Sequence, residues 1–419
     1  MDHILDIPAL ILVLAALFGW LNHRFMGLPM TVGLVVIALL TSMGVMAVDG
    51  VAPQLGIGDS VRQVLSSIDF RQTLMEGMLS FLLFAGAMHV NLDELLNRKW
   101  TVLTLASVGV LLATCINALG FWYFANWLGF AIPVMTALVF GALIAPTDPV
   151  AVLAVLKRLK VPAQLEATIK GESLFNDGVA VVLFSVLATI AFNSHDVPFT
   201  LQDGIQLFLL EALGGAALGL LAGTIAFYAL RSLDDYVLEV IITLALVTGA
   251  YSLALQLHLS GPIAMVIAGL IIGNKGIKYA MSDVTKEHLN KFWELLDEIL
   301  NAALFLLIGF EVMVVEFNQN LVILSLLAIP LVLFSRWVSV GLPISIANLR
   351  TPFTRGTVPI LTWAGLRGGI SVALVLSLPD TEARSVLLTV CYAVVVFSVI
   401  VQGITVERVI RKFLPNKLL

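Results

Sequence analysis

Charged residues are scarce in this chain. Asp, Glu, Lys and Arg make up 12% of its 419 residues, against roughly 25% in soluble globular proteins. The mean hydropathy is +1.01, and the apolar residues, 59% of the total, fall in long, regularly spaced runs. These features exclude an ordinary soluble domain and predict an all-α polytopic membrane protein. They also give no reason to expect a nucleic-acid partner.

Cysteine and catalytic motifs are equally sparse. The two cysteines, Cys115 and Cys391, lie inside apolar runs, so we expect buried thiols rather than a disulfide or a metal site. The sequence has no His-Glu-x-x-His, no nucleophile elbow and no paired cysteines, which gives membrane-embedded hydrolase chemistry no support. We therefore expect neither enzymatic activity nor a cofactor. The start, Met1-Asp2-His3, lacks a basic region, which predicts an uncleaved first helix.

Membrane-length apolar runs are abundant. We predict about thirteen spans, since about 20 apolar residues at 1.5 Å per residue cross a hydrocarbon layer of about 30 Å. The spans lie near residues 7–23, 29–47, 72–90, 101–126, 133–157, 163–192, 204–230, 237–257, 261–280, 292–317, 320–346, 357–378 and 384–408.

The basic residues predict the orientation. With the N-terminus outside, 17 of the 23 Lys and Arg residues fall at inside ends. Three fall in outside segments (Arg62, Arg71 and Arg384) and three within spans (Lys170, Arg336 and Arg367). This bias predicts an outside N-terminus and a cytoplasmic C-terminus in the cell (inner) membrane. The longest outside segment, from Asp49 to Arg71, is predicted to carry a short interfacial helix.

Breaks in two spans suggest the internal symmetry. An odd number of spans is compatible with two inverted six-helix repeats, spans 1–6 and 8–13, joined by span 7. Span 5 is interrupted by Ala145-Pro146-Thr147-Asp148-Pro149, and its counterpart, span 12, contains Gly365-Leu366-Arg367-Gly368-Gly369. We therefore expect both crossing helices to be broken near the middle of the membrane.

The prolines of span 5 give its break a chemical meaning. Pro146 and Pro149 remove two backbone donors and disfavour helix in the residues before them. The freed carbonyls around Ala145 and Thr147 could bind a cation. Asp148 before a proline is typical of an N-cap, and its charge would balance the dipole of a new half-helix. A simple proline kink is the alternative.

Span 6 carries an unusual polar cluster, Gly171-Glu172-Ser173-Leu174-Phe175-Asn176-Asp177-Gly178. On a helix, Ser173 and Asp177 share one face, Glu172 and Asn176 share another, and the two faces adjoin. Oxygen donors of this kind suit a hard cation, and a carboxylate can bind a proton instead. Asp177 falls near mid-span, where an ionisable group needs a partner, a cavity or a function. A structural carboxylate pair that bonds to neighbouring helices is the alternative.

Two buried cations need partners. Arg367 lies among glycines in mid-membrane, and Glu172 is the available acid, so we predict an Arg367–Glu172 pair across spans 12 and 6. Arg336, in span 11, either compensates half-helix carbonyl ends or snorkels toward the inside.

These motifs resemble a known family. Thr147-Asp148-Pro149 in one broken helix, followed by Gly-Glu-Ser-x-x-Asn-Asp in the next, is similar to the NhaP-type branch of the cation/proton antiporters (cation/proton antiporter family 1), which is related to the eukaryotic sodium/proton exchangers. Weaker matches lie at residues 83–86 before Asp93, at 305–309 and at 365–368, so the resemblance covers essentially the whole chain. One departure is Ala85-Gly86-Ala87, where the family often has an acid and paired glycines.

The resemblance implies an elevator-type antiporter that forms a homodimer. It implies a transport core at residues 101–192 and 320–408, a dimerisation domain at 1–100 and 237–317, and a linking helix at 204–230. Further, it implies that Asp177 binds the transported Na⁺ or Li⁺, with Glu172, Ser173, Asn176 and Thr147 as contributors. The charges of the broken helices would be compensated by Asp148, Arg367 and Arg336.

The resemblance also implies a mode of exchange. Asn176 stands where electrogenic relatives have a second aspartate, which implies electroneutral exchange of one cation for one proton and a role in pH homeostasis. A K⁺/H⁺ antiporter and a channel-like cation pathway of the same fold are the alternatives. A non-transporting sensor and a sodium-coupled symporter fit the sequence less well.

Overall fold

The computed structural model describes residues 6–52, 54, 56, 58, 72–159, 161–192, 201–313, 315, 318–347 and 356–414. We number its main helices α1 to α13 in chain order, counting a bent or broken helix once. Their bounds are α1 Asp6–Leu21 with Asn22–Met26, α2 Met30–Val51, α3 Gln72–Met78 with Leu79–Met88, α4 Lys99–Thr104 with Leu105–Gly109 and Val110–Trp127, α5a Val134–Leu143, α5b Val150–Leu159, α6 Ala163–Phe192, α7 Leu201–Arg231, α8 Tyr236–Gln256, α9 Gly261–Ile271 with Ile272–Gly276 and Ile277–Tyr279, α10 Asp283–Phe310, α11 Gln319–Ala347, α12a Thr357–Ala364, α12b Gly369–Leu376 and α13 Glu382–Phe397 with Ser398–Gln402 and Gly403–Phe413. A short helix, Leu92–Asn97, joins α3 to α4.

The helices confirm an all-α polytopic membrane protein. Eight of them are long and apolar enough to cross a membrane by length and composition. Each predicted span coincides with one numbered helix, but several of these are short, broken or charged. In α10, for example, Glu294, Asp297 and Glu298 lie within the apolar stretch. The exact number of crossings therefore stays a prediction.

The most extensive helix contacts fall in two groups, and α6 packs against members of both. In one group, α2 packs against α10, and α3 and α7 pack against α9. Three glycines of α7 spaced four apart, Gly215, Gly219 and Gly223, lie directly against α9, because a small residue every fourth position lets two backbones approach closely. In the other group, α4 packs against α5a and α11, and α13 packs against α11 and α12b.

The two predicted breaks are confirmed. Helix α5 stops at Leu143 and resumes at Val150, and α12 stops at Ala364 and resumes at Gly369. The extended stretches between the half-helices run antiparallel and pair through one backbone bridge, Asp148 with Leu366. There the amide of Asp148 donates to the carbonyl of Leu366 at 2.8 Å. Backbone polar groups that left their own helices thus find partners in each other, as burial requires.

The prediction for the cysteines is half correct. Cys391 is buried, but Cys115 is exposed on the surface of α4, and both thiols are free. Apolar residues on a membrane helix face lipid as readily as protein, so position within a span could not distinguish the two cysteines. The predicted interfacial helix before Arg71 lies outside the described residues, as do six of the basic residues that sorted the topology: Arg62, Arg71, Lys160, Arg350, Arg355 and Lys417.

Candidate functional site

The break in α5 is bound to the middle of α6 through Thr147. The Ser173 hydroxyl donates to the carbonyl of Thr147. The Asn176 amide nitrogen donates to the Thr147 hydroxyl at 2.8 Å, while the Asn176 oxygen accepts from the Thr147 amide at 3.4 Å. The backbone and the side chain of Thr147 therefore both bond to the polar cluster of α6.

Glu172 joins the same network. The Asn176 nitrogen lies 3.3 Å from one Glu172 oxygen, so the amide bridges the Thr147 hydroxyl and this carboxylate. Thr147, Glu172, Ser173 and Asn176 are each at most 3% exposed. A buried polar network is stable only when its members have partners, and these four residues satisfy one another.

Asp177 is the exception within the cluster. Its side chain is buried, and its Oδ1 atom has no hydrogen-bond partner among the described residues. The charged groups that interact with it are Asp148, Glu172 and Arg367. A buried carboxylate oxygen without a donor is costly in the charged form unless a cation or a proton neutralises it.

Asp148 caps α5b, as predicted. Its Oδ1 atom accepts from the amide of Val150 at 2.9 Å, which satisfies one of the free donors at the start of that half-helix. Gly368, at the break of α12, lies so close that a Cβ atom there would overlap the Asp148 side chain. The acid of one broken helix thus lies directly against a glycine of the other.

Arg367 balances the negative end of the dipole of α5a, the other half of the broken helix α5. Its Nη1 atom donates to the carbonyls of Ala145 and Pro146, the second at 2.8 Å, and the side chain is 1% exposed. These carbonyls follow α5a, where the negative end of the helix dipole favours a cation. The carbonyl of Ala145, which the sequence offered as a cation ligand, is therefore occupied by a guanidinium.

The predicted Arg367–Glu172 pair is wrong. Glu172 pairs with Arg336 instead, with Nη2–Oε2 at 2.6 Å and a second contact from Nη1 to Oε1. Arg336 reaches from α11 across Gly365, where a Cβ atom would meet its guanidinium, and it also donates to the carbonyl of Leu361 at 3.3 Å. Because Arg336 is 6% exposed, it compensates the end of α12a and does not snorkel.

A small pocket lies on the Arg336 side of the cluster. Its lining joins the α5 break and α6 to α11 and α12a: Thr147, Pro149, Ile169, Glu172, Ser173, Arg336, Leu361 and Ala364. The pocket therefore borders four of the residues predicted for the site.

Two residues of α13 that the sequence analysis did not single out hold the break of α12. The Ser398 hydroxyl accepts from the amide of Arg367 at 2.9 Å and donates to the Gln402 oxygen at 2.6 Å. The Gln402 nitrogen donates to the carbonyl of Trp363 at 3.1 Å. Ser398 and Gln402 stand four apart in an apolar span, and this spacing was the available signal.

The chain is similar to known proteins over nearly its full length. A family model described as "Sodium/hydrogen exchanger, transmembrane" matches residues 12–412. The Na(+)/H(+) antiporter NhaP of Pseudomonas aeruginosa is 44% identical over 416 residues, which cover 97% of this chain and 96% of the relative. The Na(+)/H(+) antiporter NhaH of Halobacillus dabanensis is 37% identical over 360 residues, which cover 85% of this chain and 87% of the relative.

A solved structure supports the fold independently. The sodium proton antiporter MjNhaP1 from Methanocaldococcus jannaschii superposes with a TM-score of 0.73 at 20% identity, and the match covers 97% of each chain. At this identity the likeness shows the fold alone.

Proposed function

The chain belongs to the sodium/hydrogen exchanger family, and from this we propose that it exchanges Na⁺ or Li⁺ for H⁺ across the cell membrane. The observation that carries the proposal is the Asp177 carboxylate, which is buried and has an oxygen without a hydrogen-bond partner in the described part of the chain. Thr147 at the α5 break, and Glu172, Ser173 and Asn176 on the same helix as Asp177, supply oxygen atoms of the kind that hard cations prefer.

The mechanism is competition for one carboxylate. Deprotonated Asp177 binds a partly dehydrated cation, and protonated Asp177 does not. Either loaded form is neutral at the site, whereas the empty charged form is disfavoured within the membrane. Only the loaded forms then change sides, which couples the two fluxes in opposite directions.

The moving part is the group of helices that carries the site. We infer a transport core of residues 101–192 and 320–408 that moves against a dimerisation domain of residues 1–100 and 237–317, with residues 204–230 as the link. The packing of α4, α5, α11, α12 and α13 on one another supports this division. The breaks of α5 and α12 share a backbone hydrogen bond, so the two broken helices would move together.

Stoichiometry and orientation complete the proposal. With Asp177 as the exchanging acid and the neutral Asn176 beside it, one cation replaces one proton and no net charge crosses the membrane. The distribution of Lys and Arg favours an N-terminus outside and a C-terminus in the cytoplasm.

The test is exchange in proteoliposomes with an acidic lumen and an internal pH dye. External Na⁺ or Li⁺ is expected to raise the lumenal pH in the wild type and to have no effect in Asp177→Asn, while the variant remains monodisperse. Asp380→Asn is the matched control, because the Asp380 side chain is 99% exposed. Sodium-driven proton release from intact Asp177→Asn would defeat the proposal.

Two further arms of this assay separate the alternatives. A response to K⁺ that exceeds the response to Na⁺ identifies a K⁺/H⁺ antiporter. Current under voltage clamp without a stoichiometric proton flux identifies a channel-like pathway.

A further inference from the structure

Glu239 is a buried acid outside the cluster around Asp177. It lies in the first turn of α8, whose N-cap Asp235 accepts from the amides of Val237 and Leu238. The Glu239 side chain is 0% exposed, and within the described residues neither carboxylate oxygen has a hydrogen-bond partner of normal geometry. Helix α8 packs against α3, α7, α9 and α10, none of which carries a residue of the Asp177 cluster.

Two donors face this carboxylate, the Thr285 hydroxyl of α10 and the backbone amide of Asp235, and Thr243 shares the Glu239 face of α8. The Thr285 hydroxyl of α10 lies beside the carboxylate and accepts from Ser282 Oγ at 3.4 Å. The Thr243 hydroxyl donates to a carbonyl of its own helix at 2.8 Å and accepts from Trp293 Nε1 at 3.1 Å. Thr285 is thus the hydroxyl whose proton remains for Glu239.

The charges around Glu239 are negative. Asp234 and Asp235 interact with it electrostatically, and His288 of α10 stacks on Tyr236 with ring centroids 4.5 Å apart. No Lys or Arg among the described residues interacts with the carboxylate. This holds even for the four that lie near the same ends of the neighbouring helices: Arg231, Lys275, Lys278 and Lys286.

These surroundings favour the neutral acid. A charged carboxylate offers about four acceptor sites but meets two donors, the Thr285 hydroxyl and the Asp235 amide, and no cation here, and such burial is unfavourable. A neutral carboxyl group needs one acceptor for its proton, and the oxygens of Thr243 and Thr285 supply it.

We propose that Glu239 is a second proton-binding site, separate from the exchange site, which controls the contact between α8 and α10. With the proton bound, the contact closes as observed. When the proton leaves, the carboxylate must be hydrated, and the ends of the two helices separate.

Helix α10 connects this contact to the breaks of α5 and α12. It runs without a break from Asp283 to Phe310, and its Leu304 side chain packs against Gly369 at the start of α12b. A shift of the Glu239 end of α10 therefore reaches one of the broken helices. This effect on exchange rests on the proposed function, but proton binding at Glu239 does not.

Hydrogen–deuterium exchange of the full-length protein against pH tests the site directly. The quantity measured is the opening constant of the amides of residues 236–243 and 283–293, after correction for intrinsic exchange. In the wild type it is expected to rise about tenfold per pH unit once Glu239 starts to titrate, because one proton leaves on opening. Glu239→Gln should remove this rise. A flat wild-type profile, or the same rise in Glu239→Gln, would overturn the proposal.

Three further variants make the result specific. Glu287→Gln changes an acid at the same end of α10 that is exposed and bonded to Lys291 at 2.6 Å, an interaction that lowers its pKa, and it should leave the rise unchanged. Thr285→Val removes a donor to the charged form, while the Thr243 oxygen can still accept the proton of the neutral form, so the rise should continue to higher pH than in the wild type; this variant tests the site even if Glu239→Gln does not fold.

Asp177→Asn separates this proposal from the proposed function. The rise should persist in that variant even though exchange is lost. If it disappears with Asp177, the titration belongs to the exchange site and the Glu239 proposal is wrong.

Discussion

Glu172 on α6 and Arg336 on α11 form a buried ion pair, with Nη2–Oε2 at 2.6 Å. The pair links the helix that carries Asp177 to the end of α12a, since Arg336 also donates to the carbonyl of Leu361. The same Glu172 carboxylate accepts from Asn176. One acid thus holds the polar cluster and a broken helix in a fixed relation.

Removal of one partner of this pair is expected to destabilise the protein strongly. Glu172→Gln leaves a buried guanidinium without a counter-charge, a loss of about 3–5 kcal/mol. Thermal unfolding in detergent should show a lower midpoint for Glu172→Gln and for Arg336→Gln.

The double variant is the control for the pair. If the two residues act through each other, Glu172→Gln with Arg336→Gln should lose less than the sum of the single losses. Additive losses would contradict a direct pair. Exchange should fall in all three variants, because each disturbs Asn176 and Thr147.

Two variants of Asp148 separate its role as a helix cap from its role as a charge. Asparagine at 148 can still accept from the amide of Val150, so the stability of Asp148→Asn should stay near that of the wild type. Asp148→Ala loses the cap and about 1 kcal/mol of stability.

Sodium exchange should fall in both Asp148 variants, since both remove a negative charge that interacts with Asp177. Unfolding midpoints and initial exchange rates measured on the same preparations decide the matter. Equal destabilisation of the two variants would show that the cap plays no part.

The apparent affinity for Na⁺ should weaken as the pH falls. A proton and a sodium ion that exclude each other at Asp177 obey linkage, so each lowers the affinity of the other by the same factor. Once the site is mostly protonated, KM for Na⁺ is expected to rise about tenfold for each pH unit of acidification, while the maximal rate at saturating Na⁺ changes little. Initial rates over a grid of Na⁺ concentration and pH measure this. A constant KM with a falling maximal rate would place the proton elsewhere.

The sequence predicted which helix carries each polar group better than it predicted which side chains of other helices lie beside that group. Prolines at 146 and 149 and glycines around Arg367 identified both breaks, because proline lacks an amide donor and glycine has a low helix propensity. The four-residue spacing within α6 likewise identified the cluster around Asp177. Periodicity along one helix fixes which of its residues share a face.

The partner of Glu172 could not be read in the same way. Both Arg336 and Arg367 lie in apolar spans, and nothing along the chain states which guanidinium faces α6. The choice depends on Gly365, which lets the long Arg336 side chain pass, and on the carbonyls after α5a, which take Arg367. The burial of Glu239 could not be predicted for a related reason: a residue near the end of a span is expected to be solvated, and only the packing of α8 against α10 buries this one.

The hydrogen bond from the amide of Asp148 to the carbonyl of Leu366 has an evolutionary consequence. Because only main-chain atoms make this hydrogen bond, substitutions at positions 148 and 366 can change charge and volume while the breaks of α5 and α12 stay bonded to each other. Substitutions that change only side chains would therefore not test this hydrogen bond. Synthetic exchange of that amide for an ester, which deletes the donor and spares every side chain, is the modification that reaches it.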